Sequence, residues 1–297
     1  MQFNSIDIWS LQAVLLDLLV VVVLLVSLKF VKGLLSNVNS QSELVDKNNA
    51  AFGISFGGGI LALGIVLTGV SSGEFADSLV QEVLSMAVFG VVGLVLILVG
   101  RLVQDKLVLR QIDIHGELAK NNVACALVDV GHMVAIGLII RAAMIWIPTA
   151  DFSIIPLLLV AFVLSQLVML LASAYRIKLF KSRNTGHSNC LQSAISEGNA
   201  ALALRYGAFM VGAALTVTAA SHLVVYNPDN QWLSAVFWSG ISVVSVLVFA
   251  LLVLIVRKLV LSGVDVAEEV DREKNTGIAA VEGAIFVAVG AVLTALI

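Results

Sequence analysis

An all-α, polytopic membrane protein is the fold class that this chain predicts, and three observations predict it. Of the 297 residues, 60% are apolar and 12% are charged, where a soluble domain carries about 25% charged residues. Eight separate apolar stretches are long enough to cross a bilayer, which takes about 20 residues of helix. The Lys and Arg residues fall in alternate gaps between those stretches. With a mean hydropathy of +1.04, the chain has too little polar surface to cover a water-soluble core. The same composition excludes a nucleic-acid-binding protein, a disordered chain and a disulfide scaffold. A net charge of −3 is too small to select a partner.

Taken in order, the expected spans are 8–32, 50–70, 78–102, 123–145, 154–177, 200–224, 233–257 and 277–297. Met1 to Ser10 holds no basic residue and no small-residue cleavage site follows, so the first run is expected to stay as a span. Three links, Ser71–Asp77, Trp146–Ser153 and Val225–Trp232, are short and free of Lys and Arg. The others are basic: Lys29, Lys32 and Lys47 flank the first, and Arg101, Lys106, Arg110 and Lys120 the second. Arg176, Lys178, Lys181 and Arg183 mark the third, and Arg257, Lys258, Arg272 and Lys274 the fourth. Only Arg141 and Arg205 of the 17 basic residues lie elsewhere. The positive-inside rule makes the basic side cytoplasmic, with both termini outside. Trp9, Trp146 and Trp232 are placed for an outer aromatic belt, and Pro148, Pro156 and Pro228 also fall near that outer side.

Each basic link ends in a similar string: Lys47-Asn48-Asn49-Ala50, Lys120-Asn121-Asn122-Val123, Glu197-Gly198-Asn199-Ala200 and Lys274-Asn275-Thr276-Gly277. The repeating unit is therefore a hairpin, one span in and one span out. A second level of repetition pairs the halves. Asn49-Ala50-Ala51 matches Asn199-Ala200-Ala201, and Gly57, Thr68 and Ser71 match Gly207, Thr218 and Ser221. With a one-residue gap, Asp129, Val134, Ala135 and Gly137 match Glu282, Val287, Ala288 and Gly290. The chain reads as two four-helix modules, 1–148 and 149–297. An even number of spans per module keeps both copies in one orientation, so their symmetry axis runs along the membrane normal.

The signature Asn-Asn-x-Ala-Ala, followed by a glycine-bearing apolar helix in a four-span unit, resembles the YjfL-like bacterial inner-membrane proteins, a domain of unknown function. Two tandem copies would cover nearly the whole chain. The second and fourth strings depart from the pattern at Asn122-Val123-Ala124 and Thr276-Gly277-Ile278. The resemblance implies a helical bundle in the inner membrane and no catalytic residue.

Asn49, Asn122 and Asn199 are expected to cap outward helices, because a helix start leaves four N–H groups without acceptors. Gly53 and Gly57, spaced as Gly-x-x-x-Gly, with Gly58, Gly59, Gly64 and Gly207, suit close helix packing within or between chains. The even-numbered spans should then be the inner ones. Charges at mid-bilayer cost about 2.5–3.5 kcal/mol each on insertion scales, so the intramembrane ionisable residues are the functional pointers. An inner layer holds Asp129, Arg205 and Glu282, six or seven residues past their caps and about 10 Å below the basic edge. His132 is one turn deeper on the face of Asp129. Arg205 is expected to pair with Asp129 or Glu282; the remaining acid would be protonated or hold a cation. An outer layer holds Asp17, Glu82 and Arg141, with a Glu82–Arg141 pair and Asp17 in surplus. His222 reads as interfacial and Gln166 as an interhelical hydrogen bond.

Gly53-Ile54-Ser55-Phe56-Gly57 matches a nucleophile pattern, but that pattern needs a strand-to-helix turn and here it sits inside a span. A Ser55–His132 dyad would also need an oxyanion hole and a water route. No phosphate loop, dinucleotide turn or metal motif is present, so no cofactor and no metal are expected. His115 and His187 read as solvated loop residues, and the acidic run Asp265 to Glu273 as a solvated helix extension or a docking site for a cytoplasmic protein. Two functions remain. The favoured one is a cation or proton channel, or an ion-coupled transporter, because surplus buried acids are costly to keep without a use. The other is a non-catalytic membrane scaffold or envelope-stress component that recruits cytoplasmic partners. An intramembrane enzyme ranks third. The expected partners are the bilayer, further copies of the chain and a cytoplasmic protein.

Overall fold

The computed structural model describes residues 8–36, 39–72, 78–147, 152–185 and 190–297, with the side chains of 32–36 left out. Pro148, His187 and parts of the links predicted at Ser71–Asp77 and Trp146–Ser153 lie outside the described residues. Eight helices are long and apolar enough to cross a membrane. They are α1 (Ile8–Ser36), α2 (Ala50–Val70), α3 (Leu79–Val103), α5 (Val123–Trp146), α6 (Ile155–Arg183), α8 (Ala200–Leu223), α9 (Gln231–Val260) and α10 (Thr276–Leu296). Short helices α4 (Ile114–Ala119) and α7 (Leu191–Ser196) lie in the second and third basic links. Single π-helical turns, Ser42–Asp46 and Glu268–Arg272, lie in the first and fourth, and a third, Gln104–Val108, continues α3. Among the described residues no strand occurs.

α6 and α9 overrun their expected ends because Lys and Arg are good helix formers and can carry their charged heads into water at a helix end. The start of each outward helix follows from one local rule. Asn49, Asn122, Asn199 and Asn275 each accept a hydrogen bond from a first-turn N–H, those of Phe52, Cys125, Leu202 and Ile278 among them. The residue before each cap is left-handed: Asn48 (φ 47°), Asn121 (φ 61°), Gly198 (φ 85°) and Lys274 (φ 56°). Asn and Gly visit that region at low cost, which explains the Asn-Asn and Gly-Asn strings. Asn275, as a fourth cap, completes the set.

The outward helices α2, α5, α8 and α10 stand side by side in that order. The inward helices lie against the row: α1 and α3 on α2, α3 on α5, α6 on α5 and α8, and α9 on α8 and α10. Counting from the cap Asn, the ninth residue of one row helix meets the eighth of the next. A Cβ on Gly58 would lie 3.1 Å from the Val130 Cα, one on Gly131 would lie 2.4 Å from the Gly207 Cα, and one on Gly283 would lie 3.1 Å from the Ala208 Cβ. Further along, the thirteenth residue meets the fifteenth. A Cβ on Gly137 would come within 2.8 Å of the Ala62 carbonyl oxygen, and one on Gly290 within 2.6 Å of the Gly212 carbonyl oxygen. All three seams therefore share one register, including the α5–α8 seam between the halves.

α5 and α8 are the innermost helices, while α2 and α10 are each open along one side. Trp146 is not a belt residue. It is buried, its ring tilted against that of Trp238 with centres 5.0 Å apart, and its Nε1 donates to the Val224 carbonyl at 2.6 Å, so it ties the end of α5 to the second half. The sequence places it at a span end, but α9 covers it. Trp232 is exposed, as expected.

Candidate functional site: a buried charge layer

Asp129 and Glu282 both lie seven residues past their caps, fully buried, one in α5 and the other in α10. Each faces the sixth residue of the preceding row helix. Ser55 of α2 donates its hydroxyl to Asp129, and Arg205 of α8 lies 3.7 Å from Glu282. A second arginine closes each acid from the last turn of an inward helix. Arg101 of α3 sets Nη2 3.0 Å from one oxygen of Asp129 and Nε 3.0 Å from the other. Arg257 of α9 sets Nη1 3.2 Å from Glu282.

Three expectations are corrected here. Arg205 does not reach Asp129; its closest acid is Asp271, which is buried and hydrogen-bonded to it, with Asn184 donating to the other carboxylate oxygen at 3.0 Å. The Asp265–Glu273 run is thus not simply a solvated extension, because Asp271 turns inward. Nor are the inner acids in surplus. Arg101 and Arg257 read in the sequence as edge residues, yet both point inward. Arg176 is buried as well, its guanidinium 4.8 Å above the Phe209 ring and 5.3 Å from that of Phe286. Burying ionised groups is tolerated when each finds a partner of opposite charge, and the arginines supply one to Asp129, Asp271 and Glu282.

The outer layer also differs from expectation. Arg141 donates its Nε to the Thr68 hydroxyl at 3.0 Å and forms no ion pair with Glu82. Glu82 instead meets Asp17, carboxyl to carboxyl, across the α1–α3 contact. α3 turns Glu82 toward α1, whereas Arg141 faces α2. The Ser55–His132 dyad does not form either: His132 stands edge-on to Tyr206, ring centres 5.4 Å apart, with Nε2 3.5 Å from the phenol oxygen.

One cavity adjoins the layer. Its volume is about 20 Å³, room for a water molecule, and Gln104, His132, Gln166, Ser173 and Met210 are among the residues that line it. Both amide atoms of Gln104, the Nδ1 of His132 and the Nε2 of Gln166 are buried there without a hydrogen-bond partner among the described residues. Gln166 is therefore not engaged through its amide nitrogen as an interhelical bridge.

On the basic side, the caps do a second job. Asn49 donates Nδ2 to Glu43 and to the Leu118 carbonyl at 2.9 Å each. Asn122 donates to Glu117 and to the Ser196 carbonyl at 2.8 Å each. Asn199 reaches the Val270 and Asp271 carbonyls at 3.3 and 3.2 Å. Each hairpin is thus hooked onto the link of the next. Lys47 and Lys120 hydrogen-bond the Glu43 and Glu117 carboxylates and, with the Asn donors, hold both below the usual carboxylate range.

Residues 6–144 and 150–297 each match the model of one family, the Domain of Unknown Function DUF350. The chain belongs to the DUF350 family. No curated protein and no solved structure shows similarity to it. The charge layer follows the DUF350 boundaries. Each copy sets an acid seven residues past a cap, an arginine from the last turn of an inward helix and a polar residue six past a cap together: Asp129, Arg101 and Ser55 in the first, Glu282, Arg257 and Arg205 in the second. At the seam between the copies the same two positions are Val128 and Tyr206, which carry no charge. The small residues divide as well. A Cβ on Gly207 would lie 2.9 Å from the Leu127 carbonyl oxygen and one on Gly53 3.3 Å from the Leu44 side chain, whereas one on Gly57 or Gly64 would meet nothing within 4 Å among the described residues. Among the described residues, no cluster of His, Cys, Asp and Glu could hold a metal ion.

Proposed function

We propose that this integral membrane protein is a non-catalytic scaffold, a rigid helical wall in the bacterial inner membrane whose basic links face cytoplasmic partners. The observation that carries this reading is the closure of the inner layer: Asp129, Glu282 and Asp271 are each held by an arginine, and the row helices touch backbone to backbone. Such an interior is built to keep one arrangement.

A second reading, a proton or cation conduit, draws support from the cavity where Gln104, His132 and Gln166 present unpartnered polar atoms within the span. Proton and potassium flux into liposomes separates the two. The scaffold reading expects flux at the protein-free level for the wild type and for Asp129→Asn/Glu282→Gln, across pH and voltage. Flux in the wild type that His132→Ala or the acid double variant abolishes would overturn it in favour of the conduit.

A further inference from the structure

Among the described residues, the row α2–α5–α8–α10 leaves one small-residue face open at each end. Three seams use one register, with the ninth residue after a cap against the eighth on the next helix: Gly58 on Val130, Gly131 on Gly207, and Ala208 on Gly283. Continuing the series, the ninth residue of α10 is Ala284 and the eighth of α2 is Gly57. Both are exposed, and a Cβ on Gly57 would meet nothing within 4 Å. The other contact of the seam behaves alike. Ala62 meets Gly137 and Gly212 meets Gly290; the open counterparts are Ala288 of α10, exposed, and Gly64 of α2, again with nothing within 4 Å. The open pairs even repeat the chemistry of closed ones. Ala284 with Gly57 copies Ala208 with Gly283, and Ala288 with Gly64 copies Ala62 with Gly137.

The basic side carries an independent sign of the same interruption. Asn49, Asn122 and Asn199 each reach carbonyls of the following link, at Leu118, Ile195–Ser196 and Val270–Asp271. Asn275 holds its own Glu269 at 2.8 Å, as Asn49 holds Glu43, and among the described residues no link lies on its far side. At the other end, Leu44 follows Glu43 as Leu118 follows Glu117 and Val270 follows Glu269. Leu118, Ile195 and Val270 are at most 4% exposed under their neighbours, whereas Leu44 is 38% exposed.

We propose that a second copy of this chain docks head to tail on this edge. The Ala280, Ala284 and Ala288 face of α10 in one copy seats on Gly57 and Gly64 of α2 in the next, and Asn275 hooks the Leu44 carbonyl. The interface is continuous with three that the chain already makes, and it is heterologous, so copies add in one direction until the array closes on itself. Small residues at such a seam let helix backbones approach inside a bilayer, where tight packing rather than hydrophobicity drives association. The proposal holds whether the protein is a scaffold or a conduit.

The test is disulfide trapping in native membranes, with the partly exposed Cys190 changed to Ser. Gly57→Cys with Ala284→Cys in one chain is expected to give a ladder of dimers and higher species, and either change alone is expected to give none. Ala208→Cys with Gly283→Cys, the matching internal pair, is the positive control and bridges within one chain. Absence of the ladder while the control bridges would overturn the proposal. So would cross-linking by Gly57→Cys alone or Ala284→Cys alone, which would mean two like faces meeting. A second variant keeps folding apart from assembly. Gly57→Leu/Gly64→Leu has open space around both positions within one chain, so its thermal stability as a monomer in detergent should be that of the wild type. Its copy number, counted by single-molecule photobleaching in the membrane, should fall to one; an unchanged copy number would also sink the proposal.

Discussion

Gly131→Ala adds a single methyl group at the seam between the two DUF350 copies. Its Cβ would stand 2.4 Å from the Gly207 Cα, 2.8 Å from the Gly207 carbonyl carbon and 2.9 Å from the Gly207 oxygen. All three are backbone atoms, so no side chain can swing aside. Restoring an ordinary contact of at least 3.4 Å requires α5 and α8 to part by 3.4 − 2.4, or about 1.0 Å. A gap of that size forfeits roughly a quarter to a half of each dispersion contact across it, and overpacking of a tight core typically costs about 1–3 kcal/mol. The gain in helix propensity from Gly to Ala returns about 1 kcal/mol at most. The net expectation is destabilisation of up to about 2 kcal/mol. Gly57→Ala is the matched control, since its Cβ meets nothing within 4 Å; in the detergent monomer it should be neutral or slightly stabilising. Thermal unfolding of both variants in the same detergent measures the difference. Equal midpoints for Gly131→Ala and Gly57→Ala would refute the close-seam reasoning.

Two further outcomes are expected. Lys274→Gly should stabilise the detergent monomer by about 0.5–1 kcal/mol, because a left-handed non-glycine residue costs about 1–2 kcal/mol and the extra unfolded-state freedom of Gly offsets part of that; a denaturant titration reads the change. Glu43 and Glu117 titrate below their ordinary value in the folded protein, so their contribution to stability is complete above the unfolded pKa of about 4.3 and is lost as pH falls through the depressed values. Melting midpoints between pH 6 and pH 3 should therefore drop less steeply in Glu43→Gln/Glu117→Gln than in the wild type.

The spans were legible because each stretch of about 20 apolar residues has only one stable form in a bilayer. The caps were legible because Asn at a helix start has a local chemical reason. What could not be read were the partners of the buried acids. Arg101 and Arg257 sit in the last turns of α3 and α9, where arginines usually extend toward water; whether such a side chain turns in or out depends on a carboxylate 28 or 25 residues away. Asp271 was hidden in a run of acids, and only the π-helical turn Glu268–Arg272 directs it inward. The glycines were half legible. Spacing marks them as small faces, but only the assembled row separates Gly58 and Gly131, which are covered, from Gly57 and Gly64, which are not.

That separation bears on how the repeat is used. A duplicated module that needed only to fold would gain by burying the last small-residue face under a bulky side chain or by filling it with Leu, since a lipid-facing helix has no use for alanines in register. Instead, α10 presents Ala280, Ala284 and Ala288 at the positions by which α5 and α8 grip their neighbours, and α2 presents Gly57 and Gly64 where α5, α8 and α10 are gripped. The charged pairs are placed differently. They occupy the α2–α5 and α8–α10 seams and are replaced by Val128 and Tyr206 at α5–α8. The seam from α10 to the next α2 would again be an uncharged one: its sixth position on α10 is Val281 and its seventh on α2 is Phe56. Val281 against Phe56 repeats Val128 against Tyr206, a β-branched residue facing an aromatic ring. The two uncharged seams are therefore of one kind, one formed inside the chain between DUF350 copies and the other left at its edge. Docking of a second copy buries no unpaired charge, which removes the largest penalty that association within a bilayer would otherwise meet.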